Sequence, residues 1–275
     1  LPGVEDARQT FFKEKDNNMM ETIRSESPAK MTPARIIGIF FAVIGIFAFQ
    51  QFASIVGSRI SDPINYGSLD PSRAFLPVSV HHVIQALIAL VPLLILGKLF
   101  RIDFGFRKGE VRLGMKIVGI MSAVLFVYTI LSYIIGYAFD LIRPYGYPLT
   151  ARNITGTLAF QLFFSGPSEE ILFRALPIAF LAYVMRSRSK TASAINVLIV
   201  ALLFSIAHIR WSFGPTGLSF SYDVIQLIFA FALGSVQGFV FLKTKSVYYS
   251  MAIHSISNVL SVGIGYAIAH WVLGQ

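Results

Sequence analysis

The chain has 275 residues, 55% of them hydrophobic and only 13% charged, with 25 phenylalanines, a balance that excludes an ordinary soluble domain. The absence of cysteine excludes disulfides and thiolate chemistry. The net charge of +9 is what basic cytoplasmic loops confer on a membrane protein and does not require a nucleic-acid partner.

Residues 1–33 are polar and mixed in charge, with Pro28 and Pro33 ahead of the first apolar run. They are expected to form a mobile or surface-lying tail before a membrane-embedded domain at 34–275, with no cleavable signal peptide. Leu1-Pro2-Gly3 in place of an initiator Met suggests a processed or engineered N-terminus. Seven apolar runs follow, near 35–58, 78–99, 113–140, 154–185, 191–210, 222–242 and 246–273, each near or above the ~20 residues that a helical crossing needs. The expected fold is therefore all-α, a polytopic membrane helical bundle of seven to eight transmembrane helices.

The loop from Lys98 to Arg112 carries five basic residues against Asp103 and Glu110. Arg186, Arg188 and Lys190 follow the fourth run, and Lys243 and Lys245 the sixth, whereas 59–77, 141–153 and 211–221 are balanced or sparse in charge. This alternation predicts a cytoplasmic N-terminus and cytoplasmic basic loops. The fourth run covers ~32 residues, about 48 Å of helix against a ~30 Å hydrocarbon core. Ser165-Gly166-Pro167-Ser168 is the expected place for a kink or a new helix start. A new start would set the carboxylates that follow at a positive dipole end. A break at Gly263 or Gly265 in the ~28-residue last run would create an eighth helix.

Glu169 and Glu170 lie in otherwise apolar sequence, where an ionisable group is a functional-site candidate by default. Arg174, four residues after Glu170, is placed to pair with it on one helical face, which leaves Glu169 without a local partner. His208 closes the fifth run four residues after Phe204, as a packing residue, an interfacial anchor or a catalytic group. His254 and Asn258 share one helical face. Phe231, Gly234 and Gly238 form a small-xxx-small stripe expected to pack helices closely. His81, His82 and His270 are expected at interfaces or loops. Glu169 and His208 each lie about 25–27 Å along their helices from one basic loop, but His254 is only ~13 Å past Lys245 and fits that common depth poorly. A carboxylate and a neutral His can hold and deprotonate water, and a His with an Asn can donate to a developing oxyanion. Those are the parts of an amide-hydrolysing site that uses a bound water as nucleophile.

The series Glu169-Glu170-x-x-x-Arg174, Phe204-x-x-x-His208, Phe231-x-x-Gly234-x-x-x-Gly238 and His254-x-x-x-Asn258 resembles the motifs of the type II CAAX prenyl endopeptidases, whose bacterial relatives form the CPBP or Abi family of intramembrane proteases. All four stand in the expected order over 169–258, within a motif core at 154–260. Ala175 replaces a glycine common after the motif arginine. The resemblance implies an eight-helix core in a prokaryotic plasma membrane and a glutamate protease without a cofactor or obligatory metal. In that scheme Glu169 and His208 act on the water, His254 and Asn258 form the oxyanion site, and Glu170 and Arg174 are supporting residues. The implied partner is a membrane-associated peptide or protein substrate, prenylated in the eukaryotic relatives, beside the lipid bilayer. Three other readings compete: a zinc-dependent protease using His208, His254 and a glutamate, a catalytically silent scaffold or bacteriocin-immunity protein, and an ion or proton transporter.

Overall fold

The computed structural model describes residues 32–187, 189–214 and 217–275; the expected tail, with Pro28, and Arg188 lie outside the described residues. Seven helices are described. They are α1 (Pro33–Ser61), α2 (Leu76–Phe100), α3 (Val111–Ala138), α4 (151–185), α5 (Lys190–Ile206), α6 (Val224–Thr244) and α7 (Tyr248–Trp271). α1, α2, α3, α6 and α7 are long and apolar enough to cross a membrane, which makes this an integral membrane protein. Between α5 and α6, where only a loop was expected, Arg210–Gly214 (β1) and Gly217–Ser221 (β2) pair as an antiparallel hairpin. α7 runs unbroken past Gly263 and Gly265, so the expected break there does not occur.

α4 does not restart at Gly166-Pro167. It continues through two π-turns, Gln161–Ser165 and Ile171–Ala175, flanking Gly166–Glu170. A proline follows each turn, and proline has no N–H for the carbonyl five residues before it. Side chains from other helices supply the missing donors. Ser255 of α7 donates to the Leu162 carbonyl at 2.9 Å, and Gln50 of α1 donates to the Leu172 carbonyl at 3.3 Å. The glutamates thus sit inside a continuous helix, and the expected favourable helix-start dipole does not apply to them.

α2, α4 and α6 each end on a basic residue in the left-handed conformation, Arg101, Arg186 and Lys245. That backbone disfavours a Cβ by ~1–2 kcal/mol, while a positive charge at a helix C-terminus recovers part of the loss. The turn after α6 is buried: Thr244, Ser246 and Val247 have no exposed surface. The α2–α3 loop lies over it, with Glu110 N donating to the Thr244 carbonyl and Val247 N to the Gly105 carbonyl. Gly105 and Gly109, both at positive φ, permit this approach, since a Cβ on either would strike Phe241 or the Thr244 carbonyl. The recessed turn places the start of α7 deep in the protein, which brings His254 to the level of the glutamates despite its short distance from Lys245.

Candidate active site

α4 supplies two carboxylates with different surroundings. Glu170 is fully buried, and its Oε1 accepts from His254 Nδ1 at 2.8 Å. Arg174 is equally buried, with Nε 3.7 Å from the same oxygen, an ion-pair separation beyond hydrogen-bond length. Its guanidinium donates to Gln237 Oε1 of α6 at 2.6 Å and lies 3.8 Å from the centre of the Phe204 ring. Phe204 therefore does more than pack: its ring also meets those of His208 and His254 edge-on, at 4.7 and 5.9 Å.

Glu169 points the other way and is not partnerless. Oε1 is 3.1 Å from His82 Nε2 and accepts from Ser165 Oγ at 3.3 Å, and Oε2 is 3.7 Å from His254 Nε2. Asn258 Nδ2 donates to Ser165 Oγ at 3.0 Å, which completes a relay from Asn258 through Ser165 to Glu169. His254 is thereby held between the two carboxylates.

His82 corrects an expectation, because it belongs to this cluster and not to an interface. Asp70 orders the start of α2 by accepting from the backbone N–H groups of Ala74, Phe75 and Leu76 at 2.8–2.9 Å. The second turn of that helix brings His82 against Glu169. Its Nδ1–H donates to the Val78 carbonyl at 2.8 Å, so one proton lies between Nε2 and Glu169, whichever of the two owns it. His81 is likewise internal, with Nδ1 3.2 Å from Ser58 Oγ. His270 stands at the exposed chain end beside Gln275.

His208 lies in the turn after α5, its Nδ1–H held by the Phe204 carbonyl at 2.9 Å. That bond sets the tautomer and leaves Nε2 with a free lone pair. Glu169, His208, His254, Asn258, Ser165 and His82 all line one cavity of about 370 Å³. A second, of about 160 Å³, lies behind Glu169, His82 and His208 and is lined further by Gln50, Gln51, Ser54 and Gln85. Among the described residues no three His, Asp or Glu side chains are placed to share a metal ion. Gly234 and Gly238 face inward: a Cβ would come within 3.1 Å of Arg174 Nη2 at the first and 2.7 Å of Val197 Cγ1 at the second. Phe231, read as part of the same stripe, is 37% exposed and faces away.

Gln237, Ser255 and Gln50 were not expected at the site, and Ser165 was read only as part of a helix break. Only Ser165, four residues before Glu169, carried a legible signal, because that spacing shares a helical face.

Fold and site together define a polytopic membrane protein with a carboxylate–histidine–asparagine cavity inside its helix bundle. Residues 151–260 match the family described as type II CAAX prenyl endopeptidase Rce1-like, and this segment is a domain of that peptidase family. All the motif residues from Glu169 to Asn258 fall inside it, whereas His82 and Gln50 lie outside. No curated protein and no solved structure matches the chain.

Proposed function

We propose that the protein is an intramembrane endopeptidase that hydrolyses a peptide bond of a membrane-associated or lipidated substrate with a water activated by Glu169 and His208. The observation that carries this reading is the division of labour between neighbouring carboxylates. Glu170 is sealed with Arg174, while Glu169 faces a cavity with one oxygen ordered by His82 and Ser165.

Glu169 takes a proton from water as the oxygen attacks the substrate carbonyl carbon, and the free lone pair of His208 Nε2 orients that water. The carbonyl π-electrons move to oxygen. That oxyanion accepts from the N–H of Asn258 not used by Ser165, and from the Nε2–H of His254 in its imidazolium form, whose Nδ1–H stays on Glu170 between the two carboxylates. Collapse of the intermediate breaks the C–N bond, and the proton on Glu169 passes to the leaving amine. Charge is kept manageable in low dielectric by Arg174 on Glu170 and by the proton shared between His82 and Glu169. The spread of donors around Glu169 favours water activation over metal chemistry, because each carboxylate oxygen already faces a ring nitrogen at 3.1–3.7 Å.

Purified protein incubated with lipidated and unlipidated peptides, with and without chelator, beside a Glu169→Ala control, tests the proposal. Cleavage that survives chelation and vanishes in the control supports it. Tightly bound zinc whose removal abolishes activity and whose return restores it would replace this mechanism with the metalloprotease.

A further inference from the structure

The hydrolytic chemistry uses only the larger cavity, yet a second one lies behind Glu169. Glu169, His82, Phe204 and His208 line both, so the two meet at the groups that activate water in the proteolytic reading. The larger one also holds His254 and Asn258, where that reading seats the substrate carbonyl. The smaller one, of about 160 Å³, is walled instead by α1 and α2, through Gln50, Gln51, Ser54, His81 and Gln85. Gln50, Ser54 and Ser58 stand four apart along one face of α1, and His81 and Gln85 four apart along α2. Ser58 Oγ and His81 Nδ1 lie 3.2 Å apart, and Gly57 admits that ring, since a Cβ there would come within 2.9 Å of the same nitrogen. Both helices are otherwise apolar enough to cross a membrane, where polar side chains are expensive and mark functional paths.

The lining of the smaller cavity suits water. Gln50 is 1% exposed, and its Nε2 donates to the Leu172 carbonyl, which fixes the orientation of the amide. Its Oε1 is then a buried acceptor with no partner among the described residues. Such an acceptor is costly to leave unmade, and a water satisfies it wherever the space exceeds ~10–15 Å³ and offers two to four polar partners. Gln85, 5% exposed, adds a second amide to the wall, and Ser54, His81 and His82 add a hydroxyl and two imidazoles. The volume holds several waters at ~30 Å³ each. Every hydrolytic turnover consumes one water, and a peptide seated against His254 and Asn258 displaces water from the larger cavity. The nucleophile must then reach Glu169 and His208 from their other side.

We propose that the smaller cavity is a water reservoir that supplies the nucleophile to Glu169 and His208 from behind while substrate fills the larger one, with Gln50, Ser54, His81 and Gln85 as positioning residues. The supply role rests on the proteolytic reading, but the hydration can be measured without activity. X-ray radiolysis of the purified protein turns bound water into hydroxyl radicals in place, and mass spectrometry reads which side chains they oxidise. Phe173 lines the smaller cavity and Phe241 lines neither, and both are 6% exposed. Phe173 should be oxidised several-fold faster, and Gln85→Leu, which makes the wall less polar, should narrow that gap. Equal rates in the parental protein overturn the proposal. In steady-state kinetics Gln85→Leu and Ser54→Leu, the second of which fills the space, should each lower kcat about tenfold with KM unchanged, and the polar Gln85→Asn should recover most of the loss. The two leucines lie on different helices, so if one variant fails to fold the other decides. Parental kcat in a folded leucine variant refutes the supply role, and a raised KM at parental kcat makes the cavity a subsite for a substrate side chain instead. If the parental protein cuts no peptide, the supply role falls with the proteolytic reading, while faster oxidation of Phe173 still establishes the hydrated cavity.

Discussion

The sealed face and the cavity face of α4 differ more than two adjacent residues ordinarily can. On one, Glu170 and Arg174 have no exposure, and Gln237, Phe204 and His254 close around them. On the other, Glu169 keeps 17% of its side-chain surface open and meets His82, Ser165 and His254 at the edge of a cavity. The chemistry of the two side chains is the same, so environment alone separates them. A fully enclosed carboxylate with a fixed cation holds structure, whereas one that faces a cavity and is ordered on one oxygen can exchange a proton. His254 touches both and links the stability of one face to the geometry of the other.

The sharpest challenge to this contrast is Glu169→Gln, which preserves shape and removes the proton acceptor. Hydrolysis should fall by ~10²–10⁴-fold with little change in thermal unfolding; a variant that cleaves at the parental rate makes the cavity face as passive as the sealed one. Arg174→Leu should do the reverse, because it leaves Glu170 enclosed without its cation. A loss of ~3–5 kcal/mol is expected, seen as a lower melting temperature in detergent or as poor expression. Normal stability with activity gone would move Arg174 to the chemical side. Asn258→Ala removes a donor to the oxyanion and to Ser165, and turnover should drop by ~10²–10³-fold at near-parental stability. Kinetics of the purified variant at saturating peptide measure it.

Next in size is His82→Ala, which deletes the charge-assisted partner of Glu169 Oε1. A loss worth ~1.5–3 kcal/mol, about ten- to a hundredfold, is expected in kcat with KM little altered. A change in KM alone would mean that His82 shapes the cavity without ordering the base. The smallest effect is expected of Ser255→Ala, which strips the donor from the Leu162 carbonyl before Pro167. The cost should be ~1 kcal/mol of stability, read by chemical or thermal unfolding, with a modest fall in activity as the first π-turn loosens.

The first three helices and the last four were not equally legible. α1, α2 and α3 follow from apolar length alone, and for each only 17% of the most apolar window is buried, so lipid and not protein decides their composition. In α6 and α7 the figure is 39%, and there the polar positions matter. Glu170 with Arg174, and His254 with Asn258, could be read as pairs because helical geometry relates residues four apart without knowledge of any other helix. The grouping of Glu169, His208, His254 and Asn258 across three helices is instead what the motif resemblance implies, since depth along the helices fits His254 poorly.

What local periodicity cannot encode is the distance between helices. His82 is 87 positions from Glu169, Gln50 is 122 from Leu172, and Ser255 is 93 from Leu162, and nothing in their flanks distinguishes them from interfacial or packing residues. The continuous α4 is another such case. Gly166-Pro167 reads as a break signal, yet donors arriving from α7 and α1 satisfy the carbonyls that Pro167 and Pro177 leave open, and the helix passes through both prolines. The recessed turn at 244–247 is a third, since rise per residue measures depth only from a helix end of known position. The amino-acid sequence by itself determined the membrane-spanning class, the candidate catalytic side chains and the asymmetry of charge between the two ends. The tertiary structure alone decided which carboxylate is sealed, which histidine joins it and how deep the site lies, because those depend on contacts between segments far apart in the chain.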